Sequence, residues 1–305
     1  MKKILSLMLV LSLLLCAPVF AAAEDYAVKV SAPAGAPALA LAVLAAESPE
    51  NYTFVAADTI AAEFASAASD FIIAPLNAGA KLYKAGKSSY KLAAVVSWGN
   101  LYIASQRKDF RPEDIGETGI TLFGENTINA SVALFALKEN GVTPASVEYL
   151  AGAANTQALL LSDAEAVVLT AEPALTAARF KNEGITAYAV NDLYRAATGF
   201  DGYTQAALFI RKETAEQHPE AARDFIAKVQ ASCGMCETDV NAVAEAAVAL
   251  EILPNAKVAL SAIPNCAIRF VAAPEAKEQV ETTANIDIAQ FGGAVPADDF
   301  YYAAE

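Results

Sequence analysis

The chain is poor in histidine, tryptophan and positive charge, and each shortage excludes something. One histidine, His218, leaves no second imidazole for a metal cluster and removes most His-dependent catalytic sites. The 21 Lys and Arg residues face 35 Asp and Glu, a net charge of −14. Such a chain lacks the basic footprint that displaces counterions from phosphates, so nucleic acid is not an expected partner. No Gly-x-Ser-x-Gly turn, Walker loop, metal-ligand cluster or Cys–His pair occurs, so neither a cofactor nor an enzymatic reaction is expected. Beyond the first 23 residues the longest uncharged run, 30 to 46, is broken by Pro33, Gly35 and Pro37. It is shorter than the ~20 residues of a membrane span.

Alanine is what the chain has in excess. Its 70 copies explain much of the 55% apolar share; they favour helix and contribute little hydrophobic area per side chain. A length of 305 residues predicts about two domains at ~100–200 residues each.

The N-terminus reads as a secretory signal peptide over residues 1–23. Lys2 and Lys3 precede an apolar core, 4 to 15, and Ala21-Ala22-Ala23 supplies small residues before Glu24. Its removal leaves 19 basic and 35 acidic residues, a charge of −16, in an exported, periplasmic protein. Cys16 offers a lipoprotein alternative, but the residue before a lipidated Cys should be small and here it is Leu15. Cys233, Cys236 and Cys266 remain. The Cys233-Gly234-Met235-Cys236 spacing fits a redox pair, half a zinc site or a local disulfide. It follows a helical run instead of opening a helix after a strand, which is unlike a redox motif. A structural disulfide is expected in an oxidising compartment, with the pairing among the three left open.

Along the mature chain, short apolar runs alternate with helical stretches. Strands are predicted at 28–32, 52–57, 71–75, 92–97 and 101–105, with helices at 37–47, 59–67 and 78–85. Charge and proline around 108–116 mark a change of texture, after which strands at 120–123, 147–150 and 166–170 alternate with further helices. The run 206–210 reads as a strand returning to the first unit. Continuous apolar strands between helices predict α/β units with mostly parallel sheets, buried on both faces. Two lobes follow, 24–103 with 207–305 and 104–206, joined by crossing strands.

Several segments carry a resemblance in their order and spacing. Ala-Pro-Ala-Gly-Ala-Pro (32 to 37), Asp58-Thr59, Ile-Ile-Ala-Pro-Leu-Asn (72 to 77), Ser-Trp-Gly-Asn-Leu-Tyr (97 to 102) and Ala-Glu-Pro-Ala (171 to 174) resemble the loops of type II periplasmic solute-binding proteins of ABC importers. The branch that looks nearest binds thiamine precursors, aliphatic sulfonates or nitrate. The resemblance covers the mature chain and implies a two-lobed fold, a small-molecule ligand, a membrane permease as partner and a monomeric state.

Physical reasoning places the ligand beyond the carboxyl ends of the strands, where helix N-termini present free N–H groups. Gly35 permits close backbone approach there. Asp58, Thr59 and Asn77 follow the second and third strands, where each also suits a helix cap. Trp98, with Asn100, stands at a strand end; it either lines the cleft and stacks on a flat ring or is a core aromatic, and the position favours the cleft. Asn126 and Thr127 open a helix of the second lobe. Glu172 either caps a helix or pairs with an amine or ring N–H. His218 reads as a surface loop residue. Solute capture for an importer is the leading expectation, ahead of a sensory protein or an enzyme using the same cleft. The ligand reads as small and polar, either an anion or a nitrogen heterocycle.

Overall fold

The computed structural model describes residues 26–57 and 59–303, so the signal-peptide segment, Cys16 and Asp58 lie outside the described residues. Eleven strands among them form two sheets. The first runs β11 (Ile268–Ala272), β4 (Tyr90–Ser97), β10 (Ala206–Arg211), β3 (Phe71–Pro75), β1 (Val30–Pro33) and β2 (Tyr52–Val55). The second runs β7 (Val147–Leu150), β6 (Ile120–Phe123), β8 (Val167–Ala171), β5 (Leu101–Ser105) and β9 (Thr186–Ala189).

Both sheets are mixed. Strands joined through helices run parallel, β1 with β2 and β3, and β6 with β7 and β8. The strands next to the crossings run the other way: β10 is antiparallel to β3 and β4, and β5 to β8 and β9. A parallel neighbour needs a covering crossover, whereas a strand arriving from the other sheet is free of that constraint. The parallel expectation therefore holds for the helix-linked strands and not for those beside the crossings.

Packing explains the apolar strands. In β4, Leu92 and Val95 enter a cluster with Ile72 and Phe209, while Ala94 and Val96 face Val30, Leu39 and Val229 on the other side. The first cluster continues into the second sheet through Leu101, Ile103, Leu122 and Leu169. Ala104, Leu160, Val168 and Leu175 cover that sheet's far face.

The chain passes between sheets at Trp98-Gly99-Asn100 and returns ahead of β10. The two crossing segments lie side by side. Gln205 N–H donates to Ser97 O over 3.0 Å, and Asn191 Nδ2 donates to the carbonyls of Trp98 and Gly99 at 2.9 and 2.8 Å. Gly99 sits at φ +87°, and a Cβ there would collide with the Tyr203 ring. Only glycine meets both demands cheaply.

Cysteine corrects the expectation of a disulfide: Cys233, Cys236 and Cys266 are all free and buried. The first two occupy one face of the continuous helix Pro219–Thr238 and enter the same apolar cluster as Cys266. Cys266 Sγ lies 3.2 Å from Ala262 O, and Cys236 Sγ lies 4.0 Å from Leu39 O, so these thiols face backbone carbonyls. Burial raises all three thiol pKa values, that of Cys236 to about 12. His218 stacks on Tyr26 with ring centroids 3.7 Å apart.

Candidate functional site

The carboxyl ends of β1, β2 and β3 meet the start of a second-sheet helix around a cavity of about 300 Å³. Pro33, Ala34 and Pro37 come from the loop after β1, and Ala57 from the turn after β2. Pro75, Asn77 and Ala78 come from the end of β3 and the start of helix Leu76–Lys84. From across the gap, Thr127, Ile128 and Asn129 open helix Ile128–Glu139. Gln205, Ala206 and Gln290 complete the lining. Ligands of open α/β sheets occupy this position because the strand ends there leave a crevice.

Carboxamides dominate the polar part of the wall. Gln205 is the most connected: its Oε1 accepts from Ser97 Oγ at 3.0 Å, and its Nε2 donates to Asn100 Oδ1 at 3.0 Å and Asn129 Oδ1 at 3.3 Å. Asn129 Oδ1 also accepts from the Tyr203 hydroxyl at 3.0 Å. Gln290 Nε2 donates to Asn126 O at 2.7 Å, tying the C-terminal segment to the loop before helix Ile128–Glu139. Among the described lining residues none carries a charge.

The structure distributes the candidate residues unevenly. Asn77 and Thr127 line the cavity. Thr127 also caps its helix, accepting from Ala130 N–H. Gly35, at φ +106°, shapes the loop between Ala34 and Pro37 without lining the wall itself. Thr59 is exposed, and its hydroxyl donates to Ala56 O at 2.8 Å within the turn. Asn126 is exposed and meets Gln290 through its backbone carbonyl. Asn100 is buried in the crossing, where its Nδ2 donates to Glu172 O at 2.8 Å; it stands behind Gln205.

Two candidates turn inward. Trp98 is only 2% exposed and packs in the core, so the cleft position expected for it is corrected. The crossing is covered by β11, which turns the indole towards Arg269 and away from the gap. Glu172 is also buried, and its carboxylate accepts from Thr176 N–H at 3.1 Å and Thr176 Oγ1 at 3.0 Å. Both bonds satisfy the first turn of helix Ala174–Arg179, whose N-cap position is Pro173, and Glu172 is not among the cavity-lining residues. Desolvation raises its carboxyl pKa, against the opposing pull of the two Thr176 bonds.

Gln205, Asn129 and Gln290 are the lining residues that sequence reasoning passes over. Gln205 directly precedes an apolar strand and Asn129 is one step beyond a recognised helix start. Gln290 has no local signal at all.

No protein-family model matches the chain, and no curated protein does so at a significant level. Solved structures do. An ABC transporter protein from Parabacteroides distasonis superposes with a TM-score of 0.77 at 21% identity, over 91% of this chain and 99% of that one. The chain has the periplasmic-binding-protein fold. The aliphatic sulphonate binding protein SsuA from Escherichia coli shares this binding-protein fold at TM-score 0.70 and 13% identity, over 91% and 92% of the two chains. The zinc-bound ligand-binding component of an ABC-type import system from Staphylococcus aureus does so at 0.68 and 13%, over 90% and 96%. Within the binding-protein fold, the cavity described above lies between the two sheets.

Proposed function

We propose that the chain is the extracytoplasmic solute-binding component of an ABC-type importer. The cavity carries this reading: about 300 Å³, walled from both sheets and lined by amide and apolar side chains. A small solute there would touch residues 33–78 and 127–129 at once, and so favours closure of lobe 24–103 with 207–305 onto lobe 104–206. The closed form is what a membrane permease would recognise. Among the described residues no metal-ligand cluster occurs and no helix is long and apolar enough to cross a membrane. The mature protein is monomeric in this reading, is exported and begins near Glu24.

Native mass spectrometry of the exported protein, together with small-angle scattering, tests the proposal. The expected result is one small molecule per chain, released unchanged, and a smaller radius of gyration when it is bound. Chemical turnover of the bound molecule, or an unchanged radius on saturation, would overturn it.

A further inference from the structure

Provided that the cleft is the solute site proposed above, one side chain on its wall decides which edge of a solute can dock. A single carboxamide is ambiguous, because its oxygen and nitrogen nearly match in shape. A network that ends on a group with only one role removes the ambiguity. Such an end lies behind the cavity. Glu172 O is a backbone carbonyl and can only accept, so the Asn100 atom that meets it at 2.8 Å is Nδ2. Asn100 Oδ1 therefore faces Gln205, whose Nε2 donates to it at 3.0 Å. The same Nε2 gives its second hydrogen to Asn129 Oδ1 at 3.3 Å, while Gln205 Oε1 accepts from Ser97 Oγ at 3.0 Å. Each amide is turned by the one behind it.

Asn129 is the last of the row and stands at the cavity wall. Its Oδ1 is held twice, by Gln205 and by the Tyr203 hydroxyl at 3.0 Å. Among the described residues its Nδ2 meets no acceptor, and it is not one of the buried atoms left without a partner. It therefore keeps accessible surface, on a half-buried side chain that lines the cavity. Beside it, and across the gap, the first-turn N–H groups of Ile128, Asn129, Asn77 and Ala78 also meet no acceptor among the described residues. Unused N–H groups on facing walls complement a lone-pair-rich oxygen and oppose another N–H. We infer that Asn129 is the specificity-determining donor of the cleft: it offers its Nδ2 hydrogens to a carbonyl, carboxylate, nitro or sulfonyl-type oxygen of the solute and rejects an N–H edge in that place. Gln205 and Asn100 are positioning residues, which keep the Asn129 amide from turning over.

Calorimetry of the mature chain tests this with two sets of probes. Acetate, nitrate, ethanesulfonate and neutral dimethyl sulfone offer only accepting oxygens; ethylammonium and guanidinium offer only donors, and a net charge of −14 favours them at long range. Binding of at least one oxygen probe and of neither cation is expected. Binding of the cations alone, or of no probe, overturns the inference, while solute capture itself stands or falls separately on the native mass spectrometry described above. For the tightest oxygen probe, Asn129→Leu should weaken binding about tenfold, as loss of one polar partner does. With 15N-labelled asparagine, the side-chain amide signal missing from Asn129→Leu should move when that probe is added to the wild type. Gln205→Leu should narrow the preference for oxygen probes over cations, because the Asn129 amide is then free to turn; a loss shared equally by both sets would make Gln205 merely structural. Unchanged affinity in Asn129→Leu, or a stationary amide signal, would overturn the role of Asn129.

Discussion

Trp98 is clamped by Arg269 from two directions. The indole Nε1–H donates to Arg269 O over 2.8 Å, and the Arg269 guanidinium lies 4.5 Å from the centre of the same ring. The pair fastens edge strand β11 to the segment that leaves β4 for the second sheet. Trp98→Ala should therefore cost the folded state about 3–5 kcal/mol, the range for large aromatic truncations in a core. Chemical denaturation of the unligated protein checks this. A variant of unchanged stability that loses ligand affinity would return Trp98 to the cleft.

Asp70 supports the opposite end of the first sheet. Its buried carboxylate accepts from Tyr26 OH at 2.6 Å, Lys29 N–H at 2.9 Å, Thr214 Oγ1 at 2.7 Å and Arg211 Nη2 at 3.0 Å. Asp70→Ala strands a partly buried guanidinium with three further unmet donors. A loss of about 3–5 kcal/mol is expected by urea titration, since the guanidinium and three further donors lose their acceptor and only Glu213, 4.0 Å from Arg211 Nε, is left to the charge.

Glu172 should make stability fall as pH rises. Its folded pKa is raised above the ordinary 4.5, so between the two values the folded state holds more protons than the unfolded one. The associated stability is present below 4.5 and is lost as pH climbs through the raised value. Glu172→Gln keeps an acceptor for Thr176 and removes the titration. Comparing urea midpoints of the two proteins from pH 4 to 7 should show the variant gaining on the wild type as pH rises.

The three thiols should be inert in the native protein. Burial disfavours each thiolate, and the thiolate is the reactive species. Iodoacetamide should leave the native mature chain unmodified and should label Cys233, Cys236 and Cys266 once it is unfolded in urea without reductant. A missing pair of labels would reveal a disulfide.

Sequence alone determined most of the elements. β3, β5, β6 and β7 span the residues expected, and β3 is the clearest of them because a run buried on both faces must be continuously apolar. It missed β9 and β11, short edge strands whose Thr-Ala-Tyr-Ala and Ile-Arg-Phe-Val-Ala carry no long apolar run. It also pointed to the strand ends that surround the cavity, where Asn77 and Thr127 lie. Tertiary structure decided the rest. Trp98 and Asn100 share the strand-end position of Asn77, yet side chains at a crossing are enclosed by segments distant in sequence: Arg269 and Gln205 lie 171 and 105 residues away. Glu172 is held locally, by Thr176 one helical turn on. Gln290 reaches the wall across 164 residues from Asn126. Local periodicity encodes which face of an element is buried, and only the packing of distant segments selects which strand end stays open to a ligand.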